Sequence, residues 1–142
     1  MSIWGYRVTS KLTAIVVGVV VVGALAVTAT VPRPADREIT LVARGMAFYL
    51  LGDSVTPNPP LILRAGERVR VVLRNDDRGI THDFAFPTAD AALDQLDWNE
   101  EGSVVFDVPD TPGRYEYICR PHMLMMRGQI VVQREQTSEP AS

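Results

Sequence analysis

Residues 117–130 read Y-I-C-R-P-H-M-L-M-M-R-G-Q-I, and this stretch concentrates the chain's most distinctive chemistry. It contains the only cysteine of the 142 residues, one of the two histidines and three of the five methionines. The preceding residues 114–119 alternate between two sets of side chains, which is typical of a strand with one buried face. Residues 128–133 again favour a strand. The sulfur and nitrogen donors are therefore expected on a short loop between two strands.

The donor set of this loop predicts a metal site. Cys119 and His122 are three residues apart, so a tight turn, which Pro121 helps to fix, can point both side chains at one ion. The only other histidine is His82, and it completes a set of two imidazoles, one thiolate and a nearby thioether. Two His and one Cys with a weak axial Met are the ligands of blue-copper electron-transfer sites. A buried free thiol and a structural histidine are the alternative for each residue taken alone.

After residue 36 the sequence consists of short β-type runs separated by turn residues. Proline, glycine and Asn-Asp clusters bound the runs, which are rich in β-branched and aromatic side chains. The runs are residues 38–43, 46–51, 60–64, 68–74, 81–86, 103–108, 114–119 and 128–133. Residues 88–102 fit either one or two helical turns or an irregular segment. About eight short strands without a long amphipathic helix predict an all-β, antiparallel sandwich or barrel.

The amino-terminal part has a different composition. Leu12 to Val31 carries no charge, and about twenty residues of helix span roughly 30 Å, the thickness of a bilayer's hydrocarbon core. The run predicts a single transmembrane helix that anchors the chain. A cleaved signal peptide, whose apolar core is usually shorter, and a buried core helix are the alternatives. Arg7 and Lys11 would hold the amino end inside, which predicts a cell-membrane protein whose domain faces the periplasm or the cell exterior.

The domain organisation follows from these changes in composition. We expect a membrane anchor or signal segment at residues 1–31, a Pro-rich spacer at residues 32–36, a folded domain at residues 37–133 and a polar tail at residues 134–142. A domain of this size can bury a working core.

The charge balance excludes one class of function. The net charge is −3, and every charged side chain of the first 31 residues is basic, so the rest of the chain is more acidic still. A mildly acidic domain without a basic patch argues against nucleic-acid binding. One acidic cluster either steers a basic partner or simply forms a solvated face. It consists of Asp90, Asp94, Asp97, Glu100 and Glu101.

The sequence resembles the cupredoxins, the small blue-copper proteins of the plastocyanin and amicyanin type. The resemblance covers residues 37–133, and its specific parts are P-G-R-Y-E-Y-I-C-R-P-H at residues 112–122 and M-R-G-Q-I-V at residues 126–131. It implies an eight-stranded Greek-key sandwich that binds one copper ion, Cu(I) or Cu(II), at one end. The ligands that it implies are His82, Cys119, His122 and a methionine.

Two details of the resemblance concern the ligand neighbourhood. The family's methionine usually lies two residues before the glycine that opens the last strand, which selects Met126; a shorter loop would select Met125. Many members have Asn or Ser after the first histidine, where a side chain ties the two ligand loops together. Here the residue is Asp83, and a carboxylate beside the thiolate would lower the reduction potential unless it pointed to solvent.

The resemblance and the donor set together predict a one-electron transfer protein rather than an enzyme. Copper enzymes of this class need further histidine ligands, and both histidines are already used. A redox partner protein, such as a cytochrome or an oxidase, is expected to dock near His122 on an apolar collar of Pro121, Met123 and Leu124. The alternative is a copper carrier or storage protein that binds Cu(I) through Cys119 and the Met-rich loop.

Overall fold

The computed structural model describes residues 31–134, and these residues form nine β-strands and two 3₁₀ turns. The strands are β1 (Arg37–Arg44), β2 (Ala47–Leu50), β3 (Leu61–Arg64), β4 (Arg68–Asn75), β5 (Ala85–Phe86), β6 (Ala91–Ala92), β7 (Glu101–Asp107), β8 (Gly113–Ile118) and β9 (Arg127–Gln133). The 3₁₀ turns are Pro87–Ala89 and Arg120–His122. They belong to a compact unit that begins at Pro34.

The predicted anchor lies outside the described residues, apart from Val31 at its end. Within residues 31–134, none of the helical segments has the length and apolar character needed to cross a membrane.

The strands form two sheets with one core between them. One sheet has the strand order β2-β1-β4-β7, and the other has the order β3-β9-β8-β5-β6. The largest buried side chains come from both sheets, as in a sandwich whose inner faces interdigitate. The predicted all-β sandwich is therefore confirmed.

The strand pairing differs from the antiparallel prediction. β1 is parallel to β4, and β3 is parallel to β9, so both sheets are mixed. The reason is the path of the chain: β2 folds back on β1, β3 joins the other sheet, and β4 then returns beside β1 in the same direction. Alternating apolar patterns show that one face of a strand is buried but carry no information about which strand lies beside it.

The strand count also differs from the predicted eight. The ambiguous segment 88–102 contributes the two-residue strand β6, which pairs with β5 and makes the ninth. The predicted strand 81–86 is shortened to Ala85–Phe86, because His82 pairs with Leu96 only through an isolated bridge.

An aromatic cluster fills the core beside the loop of residues 119–126. Phe48, Phe84 and Tyr117 are completely buried, with ring centroids 5.4–6.3 Å apart. Burying each such ring contributes about 1.5–3 kcal/mol. Tyr117 donates a hydrogen bond of 2.7 Å from its hydroxyl to the Pro59 carbonyl, which satisfies the polar end of the ring. Opposite Tyr117 on β9 lies Gly128, where a Cβ would come within 2.3 Å of the tyrosine ring.

Candidate metal centre

The three predicted nitrogen and sulfur donors meet at one end of the sandwich. His82, Cys119 and His122 each offer a ligand atom, and these atoms all lie within 4.8 Å of one another. The Cys119 Sγ is 3.7 Å from the Nδ1 of His82 and 3.6 Å from the Nδ1 of His122. The two imidazole rings are 5.0 Å apart between centroids and inclined at 60°. Three such atoms can bind one ion with only small adjustments.

His82 is held by the body of the sandwich. Its backbone donates to the Leu96 carbonyl at 3.1 Å and accepts from the Leu96 N–H at 2.8 Å. The ring is fully buried, and its Nε2 lies 2.9 Å from Oδ2 of Asp77. Nδ1 is thereby left to face the thiol.

Cys119 and His122 lie on a compact loop that closes on itself. The Cys119 N–H donates to the Met126 carbonyl, and the His122 N–H donates to the Cys119 carbonyl, at 2.9 and 3.0 Å. The 3₁₀ turn Arg120–His122, with Pro121 in its first turn, brings the imidazole back over the thiol. The three-residue spacing thus places the Cys119 Sγ and the His122 Nδ1 3.6 Å apart.

The burial of the loop methionines distinguishes the two candidate axial ligands. Met126 is fully buried, next to Cys119 in the closed end of the loop, whereas Met125 is 59% exposed. His82, Cys119, His122 and Met126 together form a cluster typical of a type 1 copper site. The donor set therefore fits copper, and Met126 is the thioether that the burial favours.

Asp83 has a role that the sequence reasoning described only in part. Its carboxylate is completely buried and accepts hydrogen bonds from the backbone N–H and the Nε of Arg120, each at 2.7 Å. Arg120 also donates to the Leu93 carbonyl at 2.8 Å. Asp83 thus ties the two ligand loops together, and the guanidinium offsets the negative charge that was expected to lower the potential.

The electrostatics of the site favour a protonated thiol before metal binding. Burial raises the pKa of Cys119, and the neighbouring Asp83 carboxylate raises it further, against the N–H groups of Asp83 and His122 that lower it. The Asp83 N–H lies 3.5 Å from the sulfur. Binding a metal as thiolate therefore releases a proton.

Comparisons with known proteins agree with this geometry. A structure of auracyanin B is 25% identical, with a TM-score of 0.60, and the match covers 72% of this chain and 93% of that chain. A copper nitrite reductase from Nitrosomonas europaea is 21% identical, with a TM-score of 0.57, over 77% of this chain and 45% of that chain. An auracyanin from Roseiflexus castenholzii is 16% identical with a TM-score of 0.55, covering 70% of this chain and 99% of that chain. The last two similarities show the fold alone. No curated protein matches the chain.

The fold and the donor set define a β-sandwich with a ligand cluster typical of a type 1 copper site. The model of the family described as "Cupredoxin-like domain" matches residues 17–132. The chain belongs to this family, as its resemblance to the cupredoxins predicted. Its membership of this family and its match to 93% of the auracyanin B chain agree with the prediction that it is not an enzyme.

Two residues of the site were missed by sequence reasoning. Asp77 belongs to one of the Asn-Asp clusters that bound the predicted strands, and Arg120 was given no role of its own. Neither contact has a local signal, because Asp77 meets His82 through the fold of residues 78–81 and Arg120 meets Asp83 across 37 positions of sequence. The one available hint of an Asp83–Arg120 pair was that these residues carry opposite charges and that each directly follows a predicted ligand.

Proposed function

We propose that this chain is a mononuclear copper protein that transfers single electrons on the extracytoplasmic face of a membrane. The observation that carries the proposal is the convergence of the His82, Cys119 and His122 donor atoms within 4.8 Å, with Met126 buried in the same loop. Copper, when bound, supplies a one-electron Cu(I)/Cu(II) couple in such a site.

The surroundings of the ligands suit electron transfer because they limit rearrangement. His82 is fixed by the bridge to Leu96, and Cys119 is fixed by its hydrogen bond to Met126. Both residues are fully buried, so water does not compete for the ligand positions. A donor set that is held by the protein in one geometry changes little between the two oxidation states, which keeps the cost of each transfer small.

The exposed side of the site supports docking of a redox partner. His122 is partly exposed, while His82 is not, so the route for electrons leads through the His122 edge. Around it lies an apolar rim, defined here as Pro121, Met123, Leu124 and Met125, all of them exposed. Interfaces between redox partners are small and brief, and an apolar rim of this size fits such an encounter.

Copper carriage through Cu(I) is the weaker alternative. A carrier has to pass its ion to a partner's ligands, which requires accessible sulfur atoms. Met123 and Met125 are about half exposed, but Cys119 and Met126 are fully buried. The strongest sulfur ligand is therefore out of a partner's reach in this structure.

The membrane location rests on the sequence. The uncharged run Leu12 to Val31 and the basic residues before it support a domain outside the cytoplasm. Protease added to spheroplasts, cells stripped of any wall and outer membrane, should then degrade the domain while cytoplasmic proteins survive. Protection of the domain until the cells are lysed would contradict this part of the proposal.

Titration of the purified protein with Cu(II) tests the function. We expect one ion per chain and an intense visible absorption from thiolate-to-copper charge transfer, lost in Cys119→Ser. Met125→Leu should keep the absorption and the potential, whereas Met126→Leu should change both. Colourless copper binding that survives Cys119→Ser would overturn the proposal.

A further inference from the structure

The carboxylate of Asp77 is held by hydrogen bonds between His82 and the turn that joins β1 to β2. Its Oδ1 accepts a hydrogen bond of 2.8 Å from the Gly45 N–H, and its Oδ2 lies 3.4 Å from the Met46 nitrogen. Gly45 and Met46 have φ angles of 58° and 62°, which point these successive N–H groups toward one side. The same Oδ2 is 2.9 Å from the Nε2 of His82. The Asp77 side chain is only 15% exposed.

This arrangement decides which nitrogen of His82 is free to bind a metal. The Asp77 carboxylate accepts a hydrogen bond only from a protonated Nε2, and the neutral ring then has a lone pair on Nδ1, the atom that faces Cys119. Partners of this kind fix both the tautomer and the orientation of a metal-binding histidine. Within residues 31–134, His82 is the ligand histidine whose ring is hydrogen bonded to a carboxylate, and the ring of His122 has no such partner.

The charge of Asp77 also acts on the metal site itself. Asp83, the other buried carboxylate nearby, is paired with Arg120, whereas the partners of Asp77 are backbone N–H groups and the imidazole. An anion that is not neutralised by a cation stabilises the more positive, oxidised state of the site. The carboxylate therefore favours oxidation through His82 without touching the ion.

We propose that Asp77 is a positioning residue for His82 that fixes its tautomer and lowers the reduction potential of the site. The inference rests on the proposed copper function. If Asp77 had a purely structural role and only closed the Gly45-Met46 turn, its replacement would change the stability of the protein. It would not change the position of the His82 proton or the reduction potential.

The test compares Asp77→Asn with Asp76→Asn. Both remove one carboxylate at neighbouring positions, but the Asp76 carboxylate is paired with Arg74, whereas the Asp77 carboxylate faces His82. In the full-length copper protein we expect Asp77→Asn to raise the reduction potential and to change the His82 nitrogen couplings in the electron paramagnetic resonance spectrum. Asp76→Asn should do neither. Equal potentials for the two variants would overturn the inference.

A second measurement uses the unaltered protein and so does not depend on how well a variant folds. In ¹H–¹⁵N spectra of the metal-free protein, the His82 Nε2–H should be visible and slow to exchange, because the ring is buried and hydrogen bonded. The His122 side-chain proton should exchange faster. A His82 ring protonated on Nδ1, with Nε2 bare, would overturn the inference whether or not the protein binds copper, while failure to form a coloured copper site would overturn the proposed function alone.

Discussion

The loop of residues 119–126 has buried ends and an exposed middle. Cys119 and Met126, at the ends, are fully buried and joined by a hydrogen bond of 2.9 Å. Met123, Leu124 and Met125, in the middle, are 51%, 87% and 59% exposed. One eight-residue segment therefore presents sulfur ligands inward and apolar side chains outward.

A single short loop can thus serve two purposes. Its ends continue β8 and lead into β9, so the packing beneath the sheet fixes them. Its middle has exposed side chains that are free to meet a partner, while its backbone is held by a hydrogen bond of 3.1 Å from the Asn58 side chain to the Met125 carbonyl. Changes beneath the ends should alter folding and the site, whereas changes in the middle should alter only encounters with other molecules.

The packing beneath the ends gives the largest expected effect. Gly128→Ala places a Cβ 2.3 Å from the Tyr117 ring, which is itself hydrogen bonded to Pro59 and surrounded by other aromatic rings. We expect a loss of about 3 kcal/mol in the free energy of unfolding, measured in denaturant on the metal-free protein. Gly113→Ala in the same pair of strands is the control, because its Cβ would meet ordinary contacts at 3.6 Å. Equal losses in both variants would show that the close fit at Gly128 does not support the loop.

The ion pair between Arg120, in the first turn of the loop, and Asp83, in the body of the sandwich, gives the second-largest expected effect. Arg120→Ala leaves the buried Asp83 carboxylate without its guanidinium partner, and we expect a loss of about 2 kcal/mol, reduced from that of a fully buried pair because Arg120 is half exposed. Arg127→Ala is the matched control. Arg127 has similar exposure, but its partner Glu116 is also exposed, so the loss should stay below about 1 kcal/mol. Equal denaturation midpoints for Arg120→Ala and Arg127→Ala would contradict a stabilising role of the Arg120–Asp83 pair.

Oxidation of the three loop methionines directly tests the contrast between the buried ends and the exposed middle of the loop. Brief treatment of the copper-free protein with hydrogen peroxide should convert Met123 and Met125 to sulfoxides at least about ten times faster than Met126, because exposure governs the reaction. Peptide mass spectrometry resolves the sites. Rapid oxidation of Met126 in the folded protein would show that its side chain is exposed. Met125 would then again be a candidate for the axial ligand.

Substitutions in the exposed middle of the loop should have the smallest effect on the metal site but a measurable effect on encounters with other molecules. Leu124→Glu should slow electron self-exchange between oxidised and reduced copies several-fold at low salt, since each copy then carries a charge on the docking surface. Line broadening in nuclear magnetic resonance spectra measures the rate. Leu51→Glu, at an exposed leucine whose N–H bonds to Thr40, is the control and should leave the rate unchanged. An unaltered rate in Leu124→Glu would exclude the apolar rim as the contact surface.

The sequence predicted the parts of the site that depend on local spacing. Cys119 and His122 are three residues apart, and the alternation of β8 indicates which face Cys119 occupies, so both follow from short-range geometry. The count of two histidines then left only His82. The partners of these ligands were not predictable in the same way. Asp77 and Arg120 reach their contacts through irregular chain, where no periodic pattern limits the direction of a side chain.

The fold shows the same division. Eight strand segments of the sandwich follow from alternating apolar residues and turn signals, and their positions agree within a few residues, apart from the shortened β5. The parallel pairs β1·β4 and β3·β9 arise from chain crossings between sheets, which depend on the packing of the whole domain. The membrane anchor and the location of the domain stay predictions, because residues 12–30 lie outside the described part of the chain.

Potentiometric titration of the copper-loaded protein distinguishes an electron carrier from a protein that only holds copper. If His82, Cys119, His122 and Met126 hold one ion for electron transfer, the visible thiolate absorption should disappear on reduction and return on oxidation. The transition should be reversible and follow a single one-electron curve. An absorption that fails to return, or a metal lost at each reduction, would contradict an electron carrier.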